Sequence, residues 1–170
     1  MKLTLKHALT AILMISSLAA PVAAGPGEDG VAAYNDGVAA YNRGDYATAL
    51  RLFRPLADQG VAIAQNNLGV LYEKGQGVPQ NYAEAAKWYR LAADQGAAVA
   101  QYNLGIMYAT GHGLQRNYIS AYMWLNLSAA QGNQGAENSR DRVARLMAIA
   151  QITEAQKLAR EWKPELAGAK

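Results

Sequence analysis

The sequence predicts an all-α protein, a short α-solenoid of helical hairpins closed by a C-terminal capping helix. Three observations carry this prediction. The chain matches itself at a fixed offset of 36 residues. Within each copy apolar residues recur at helical spacing, punctuated by Gly and Asn where helices would end and begin. The 170 residues are 51% apolar and 17% charged, the balance of one folded domain and not of a disordered chain.

The repeat comes first because it fixes the architecture. Aligning 61–96 with 97–132 pairs Gln65 with Gln101, Asn67-Leu68-Gly69 with Asn103-Leu104-Gly105, and Tyr72 with Tyr108. Gly75 and Gly77 meet Gly111 and Gly113. Asn81-Tyr82 meets Asn117-Tyr118, Ala85 meets Ala121, Trp88 meets Trp124, and Gln95-Gly96 meets Gln131-Gly132. An upstream copy keeps Asp45-Tyr46, Ala49, Phe53 and Gln59-Gly60 at the same offset. There Gly37 precedes Tyr46 by 9 residues where Gly69 precedes Tyr82 by 13, so the first inter-helix loop is four residues shorter.

Each copy reads as two helices. Ala64, Leu68, Leu71 and Tyr72 lie on one face of the first helix in copy two. Gly75-Gln76-Gly77 ends it through the left-handed conformation that Gly adopts cheaply. Asn81 caps the second helix, with Glu84 in a capping-box-like position, and Asp45 and Asn117 are the matching caps. Ala85, Trp88, Tyr89 and Ala92 form its apolar face. Gly60, Gly96 and Gly132 end the three second helices, and Pro55 should kink the first of these or loosen a turn. Small residues at Gly69, Gly105, Ala85 and Ala121 let helices approach, while Tyr72, Trp88, Tyr108 and Trp124 fill the space between stacked units.

Residues 1–24 read as a secretory signal peptide. Lys2 and Lys6 form the positive region, Ala8 to Ala20 an apolar run of 13 residues, and Val22-Ala23-Ala24 the small residues before a cut after Ala24. A membrane span would need about 20 apolar residues, so no stable span is expected after cleavage. The mature chain then has 14 basic against 13 acidic residues, a net charge of +1, with His112 its one imidazole. That charge gives nucleic acid no concentrated basic surface. The location implied is periplasmic or secreted. The divisions expected are a signal at 1–24, a linker at 25–29, hairpins at 30–60, 61–96 and 97–132, a capping helix within 133–163, and a flexible tail at 164–170.

The absence of Cys removes disulfides, thiolate metal sites, cysteine nucleophiles and a lipoprotein anchor. His112, between two glycines, has no second His to share a metal and no positioned nucleophile, so it reads as an exposed turn residue. The paired glycines follow helices instead of strands, and so read as turns, not a phosphate loop. Asp58 and Asp94 read as solvated residues before helix ends. Glu73 with Glu84 is the one carboxylate pair conceivable for glycan hydrolysis, without a cleft pattern to hold it. No catalytic residue, cofactor or metal is predicted. Arg140, Arg142 and Arg145 form a small basic cluster with Glu137 and Asp141 among them. It reads as a solvated face, with an acidic partner or anionic lipid as the lesser reading.

The string Ala-x-x-Asn-Leu-Gly-x-x-Tyr-x-x-Gly-x-Gly, then Asn-Tyr-x-x-Ala-x-x-Trp and Ala-x-Gln-Gly, resembles the Sel-1-like repeat, a branch of the tetratricopeptide-like helical hairpins. The match is close over 61–132 and looser over 31–60. Leu146-Met147 and the stretch from Ile152 to Trp162 resemble the C-terminal helix of bacterial members. Such tails often start a new helix with Thr-Pro after the Met. Ala148-Ile149 stands there instead, so one helix running from about Glu137 toward Trp162 is expected. A cysteine-rich branch of the family is stapled by disulfides, and its properties do not carry over to this Cys-free chain.

The resemblance implies a non-enzymatic, exported scaffold that holds a protein or peptide partner in the cell envelope. A peptidoglycan-binding or hydrolytic role is the alternative. Carried over from the tetratricopeptide pattern, the first helices line a groove. Its residues would be Val31, Tyr34, Val38 and Tyr41 in copy one, Ile63, Asn66, Val70 and Glu73 in copy two, and Val99, Tyr102, Ile106 and Ala109 in copy three. The Tyr residues give such a groove contact area at low entropic cost.

Overall fold

A computed structural model describes residues 27–165, which form eight helices and no strand. The helices are α1 (Glu28–Asn42), α2 (Tyr46–Asp58), α3 (Ala62–Lys74), α4 (Tyr82–Asp94), α5 (Ala98–Thr110), α6 (Tyr118–Ala130), α7 (Gln134–Ala144) and α8 (Ile149–Glu161). The expected signal segment lies outside the described residues. Of the expected linker at 25–29, Glu28 and Asp29 are helical and form the first turn of α1. Acidic side chains there favour helix by facing the positive end of the dipole.

Helix limits follow the punctuation in the sequence. Asp45, Asn81 and Asn117 each accept a hydrogen bond from the backbone N–H three residues on, at 3.1, 3.0 and 3.0 Å. Glu84 does not return the bond as a capping box would; its carboxylate pairs with Lys87. Gly75 and Gly111 close α3 and α5 with φ of 66° and 81°. Helix α2 continues through Pro55 to Asp58. Pro55 is exposed, so water can take the carbonyl that loses its intrahelical donor.

The hairpins α1–α2, α3–α4 and α5–α6 stack so that each helix packs on the next in order. First helices form one layer and second helices the other. Within a hairpin a glycine sets the approach: a Cβ on Gly69 would lie 2.6 Å from the Tyr89 ring, and one on Gly105 would lie 2.8 Å from Leu125. The second glycine of each turn binds the unit before it. A Cβ on Gly77 would strike the Tyr46 carbonyl at 2.7 Å, and one on Gly113 the Tyr82 carbonyl at 2.3 Å.

Two polar joints repeat between units. Gln65, buried, donates to the Ala57 carbonyl of the preceding second helix and accepts from Gln95, at 3.1 and 2.8 Å. Gln101 repeats this with the Ala93 carbonyl and Gln131, at 3.3 and 2.8 Å. The other joint is an arginine. Arg54 donates to Tyr72 Oη at 2.6 Å with its guanidinium 5.4 Å from the Trp88 ring centre. Arg90 donates to Tyr108 Oη and stands 5.6 Å from the Trp124 ring centre. Arg54 and Arg90 are themselves 36 residues apart. The aromatic filling read from the sequence is therefore built around a cation, an arrangement worth about 0.5–2 kcal/mol at each joint.

The C-terminal region is two helices, not the single helix expected from Glu137 toward Trp162. Ala148 is extended (φ −72°, ψ 154°), and its N–H donates to Gln151 Oε1 at 2.9 Å, so Gln151 starts α8 without Thr-Pro. The break lets each part bury a different face. Helix α7 packs on α6 as α5 packs on α4, and its fully buried Ala136 stands 36 residues after the fully buried Ala100. It occupies the position of a fourth first helix. Helix α8 folds back on α6 rather than pairing with α7, burying Ala155 beside Tyr122 and Leu125. Gln156 Nε2 donates to Tyr122 Oη at 3.3 Å, and the Trp162 ring meets Trp124 edge-on at 6.0 Å. Beyond it the Glu165 N–H donates to the Asp94 carbonyl at 2.7 Å.

Candidate interaction surface

The first-helix layer consists of α1, α3, α5 and α7. Its helices are held side by side by polar bonds from α1 to α5. Asn67 Nδ2 donates to Tyr34 Oη at 3.2 Å, joining α3 to α1, and Asn103 Nδ2 donates to Asn66 Oδ1 at 3.0 Å, joining α5 to α3. Burial raises the Tyr34 hydroxyl above its ordinary pKa, partly offset by the Asn67 bond. At the other end of the helices Lys74 Nζ donates to Tyr41 Oη at 3.3 Å.

The twelve groove candidates fall into three groups. Val31 and Ile63 are exposed, at 49% and 44%. Asn66 and Val70 are buried, which corrects their assignment to a partner-facing groove. Asn66 is committed to Asn103, and Val70 lies in the core cluster with Leu104 and Met107. The spacing between neighbouring first helices closes over these two positions, which a pattern taken from one helix does not reveal. The remaining eight are half-buried. Tyr34 leans on Phe53 with ring centres 5.7 Å apart, and Tyr41 meets Tyr46 edge-on at 5.3 Å. Val38 packs on the first hairpin's core. Glu73 accepts the hydroxyl hydrogen of Tyr89 at 2.5 Å. Tyr102, Ile106 and Ala109 pack beside Ala136 and Val143 of α7, and Val99 is left partly open. The face that remains for a partner is the line of Val31, Ile63 and Val99 near the starts of α1, α3 and α5.

Other chemical candidates have local roles. Glu73 and Glu84 do not face each other as a pair, since one accepts from Tyr89 and the other pairs with Lys87. Burial beside the Glu73 carboxylate pushes the Tyr89 hydroxyl well above its ordinary range. Asp94, read as solvated, is half-buried. Desolvation raises its carboxyl, with Arg90 opposing and Glu165 adding to the rise. His112 is exposed and stacks on Tyr82 at 4.9 Å. Among the described residues, no group of three His, Asp or Glu could hold a metal, and no helix is long and apolar enough to cross a membrane. Arg140 is held by Asp141 and Asn126. The Arg54 and Arg90 joints were missed by sequence reasoning, although their identity at the repeat offset was a usable signal.

Three copies of the Sel1 repeat model match residues 30–61, 62–96 and 98–133. The chain belongs to the Sel1 repeat family. Its Sel1 hairpins resemble a crystal structure of a protective antigen present in uropathogenic Escherichia coli strains and displaying an SLR fold. The TM-score is 0.76 at 30% identity, over 82% of this chain and 31% of that one. A Sel1 repeat protein from Oxalobacter formigenes is similar with a TM-score of 0.63 at 30% identity, over 76% of this chain and 56% of that one. The chain thus spans about a third of the first structure and little more than half of the second. No curated protein matches it. Sel1 repeats commonly serve as protein–protein interaction scaffolds.

Proposed function

We propose that this Sel1 repeat chain is an exported, non-catalytic scaffold that holds a protein or peptide partner of the cell envelope on its first-helix layer. The observation that carries the reading is the aliphatic line of Val31, Ile63 and Val99. Two of its three members stand open, while the other candidates on α1, α3 and α5 are buried or half-buried. Equivalent positions on three successive first helices all carry an aliphatic side chain, and a small interface of this kind suits micromolar affinity. Export rests on the sequence of residues 1–24. The protective antigen among its structural neighbours is in keeping with an exported setting.

The test is crosslinking of the chain in its native envelope, followed by mass spectrometry of captured proteins. Val31→Ser with Ile63→Ser is the variant to compare, because both side chains are exposed. Tyr34 and Tyr102 are poor choices, since both pack against neighbouring helices. A partner enriched by the parent chain and lost in the double variant supports the scaffold. Equal capture by both removes this face from the reading. Export is checked separately by the N-terminus of the periplasmic protein: Gly25 is expected, and an intact Met1 contradicts cleavage.

A further inference from the structure

The first-helix layer does not end at α5. Helix α7 continues it in register, and Gly135, Asn138, Arg142 and Arg145 stand 36 residues after Val99, Tyr102, Ile106 and Ala109. All four are exposed. The register is physical as well as numerical. Ala136 is buried as Ala100 is, and a Cβ on Gly135 would touch the Tyr102 ring at 3.7 Å. Arg140, pointing elsewhere, is tied to Asp141 and Asn126. Arg142 and Arg145 have no ion pair or side-chain hydrogen bond among the described residues. At the opposite edge α1 carries Glu28, Asp29 and Asp36 and no base. The layer therefore runs from an acidic edge, across aliphatic Ile63 and Val99, to two unpaired guanidinium groups.

From this arrangement we infer that the layer binds an extended acidic peptide segment in a fixed direction. Its aliphatic side chain lies on Ile63 and Val99, and its carboxylate is held by Arg142 and Arg145. This rests on the scaffold reading and adds the class of partner. Neighbouring packed helices are about 10 Å apart, so a residue seated between Ile63 and Val99 is about 15 Å across from α7. Arg142 and Arg145 stand seven and ten residues beyond the position on α7 that matches Val99, about 10–15 Å along the axis, so the path from that residue to the arginines is about 18–21 Å. An extended strand rises about 3.3 Å per residue. The aliphatic and acidic residues of the partner therefore stand about six positions apart. Acids on α1 repel the carboxylate end and arginines on α7 attract it, which sets the direction. Exposed guanidinium groups form forked bonds with carboxylates, and Asn138, one turn before Arg142 on the same face, offers an amide to the peptide backbone. Exposed Leu146 and Ile149, at 63% and 84%, stand beside Arg145 at the turn into α8, so an anionic bilayer is the rival occupant that the experiment separates; the acids at the α1 edge, which would repel such a surface, favour the peptide.

The experiment is selection of a displayed library of random twelve-residue peptides on the full chain, repeated on Arg142→Glu with Arg145→Glu and on Ile63→Ser. Anionic phosphatidylglycerol vesicles are tested in parallel. Circular dichroism checks that the exposed substitutions leave the helices intact. The expected result is enrichment of peptides with Asp or Glu five to seven positions from a Leu, Ile or Val. The charge-reversed chain should bind those peptides at least tenfold more weakly and enrich Lys or Arg instead. The inference is overturned by enrichment without an acidic preference, by the same peptides on the reversed chain, or by no enrichment at all. It is also overturned if vesicles bind instead and Leu146→Ser with Ile149→Ser abolishes that binding. If envelope capture is lost with Val31→Ser and Ile63→Ser but unaffected by reversing the arginines, the scaffold stands and the acidic partner does not.

Discussion

Gly69 has no room for a methyl group. Its Cβ position lies 2.6 Å from a Tyr89 ring that is itself fully buried. The ring has nowhere to move, so Gly69→Ala forces the two helices apart. The expected cost is about 1–3 kcal/mol, the usual range for overpacking, read as a lower urea midpoint. Tyr89 sets a second expectation. Burial and the Glu73 carboxylate keep its proton on in the folded chain well above the ordinary range, whereas the unfolded chain releases it near the ordinary value of 10.0. The folded state therefore holds more protons above that pH. The contribution is complete below it and is lost as pH rises toward the folded value, by at most about 1.4 kcal/mol per unit. Urea unfolding between pH 8 and about pH 11.5 should show the parent losing stability against Tyr89→Phe only above about pH 10. At this scale the sequence made the small and large residues legible as partners. It did not show why Gln65 and Gln101 recur, since their hydrogen-bond acceptors, Ala57 and Ala93, belong to the preceding hairpin. Ala33 stands at the matching place in α1, the first helix of the first hairpin among the described residues.

At the scale of the element, helix starts were legible because Asp45, Asn81 and Asn117 act within three residues of themselves. The break between α7 and α8 was not. Its cause is the burial that α8 gains against α6, and only the short bond from Ala148 to Gln151 marks it locally. That burial makes α8 a closing element. Ending the chain after Ala148 uncovers Ala121, Tyr122 and Leu125 and removes Trp162 from Trp124. Hydrogen exchange of the shortened chain is expected to show α5, α6 and α7 losing protection while α1 and α2 keep theirs, since a stacked repeat transmits mainly to its neighbours. Equal loss along the whole chain would mean that the hairpins fold as one indivisible unit.

Across the whole molecule the repeat alone made the stacked all-α architecture legible, because each copy carries its own turns, caps and core. The open face was legible only in part. Val31 and Ile63 are where the helical pattern put them, but Asn66 and Val70 are sealed by neighbouring first helices. How much of a row stays open depends on distances between helices, which no single helix encodes. The extension of the row onto α7 was hidden for a different reason. Arg142 and Arg145 hold the positions of Ile106 and Ala109 without sharing their chemistry, so self-comparison by identity passes over them.

The two polar joints also say how such a chain can lengthen. Each central unit bears both halves of its joint: Gln65 and Tyr72 receive the preceding hairpin, while Arg90 and the Ala93 carbonyl meet the following one. A tandem duplication of 61–96 would therefore set Arg90 against a second Tyr72 and Trp88, and the Ala93 carbonyl against a second Gln65. The one new seam in the longer protein would pair the same residue types at both joints that the present seams pair. A single recombination event could add a rung to the binding face and move the arginine end one helix farther from the acidic end. The length of partner recognised would then be inherited as a repeat number, with both polar joints of the added seam already in place.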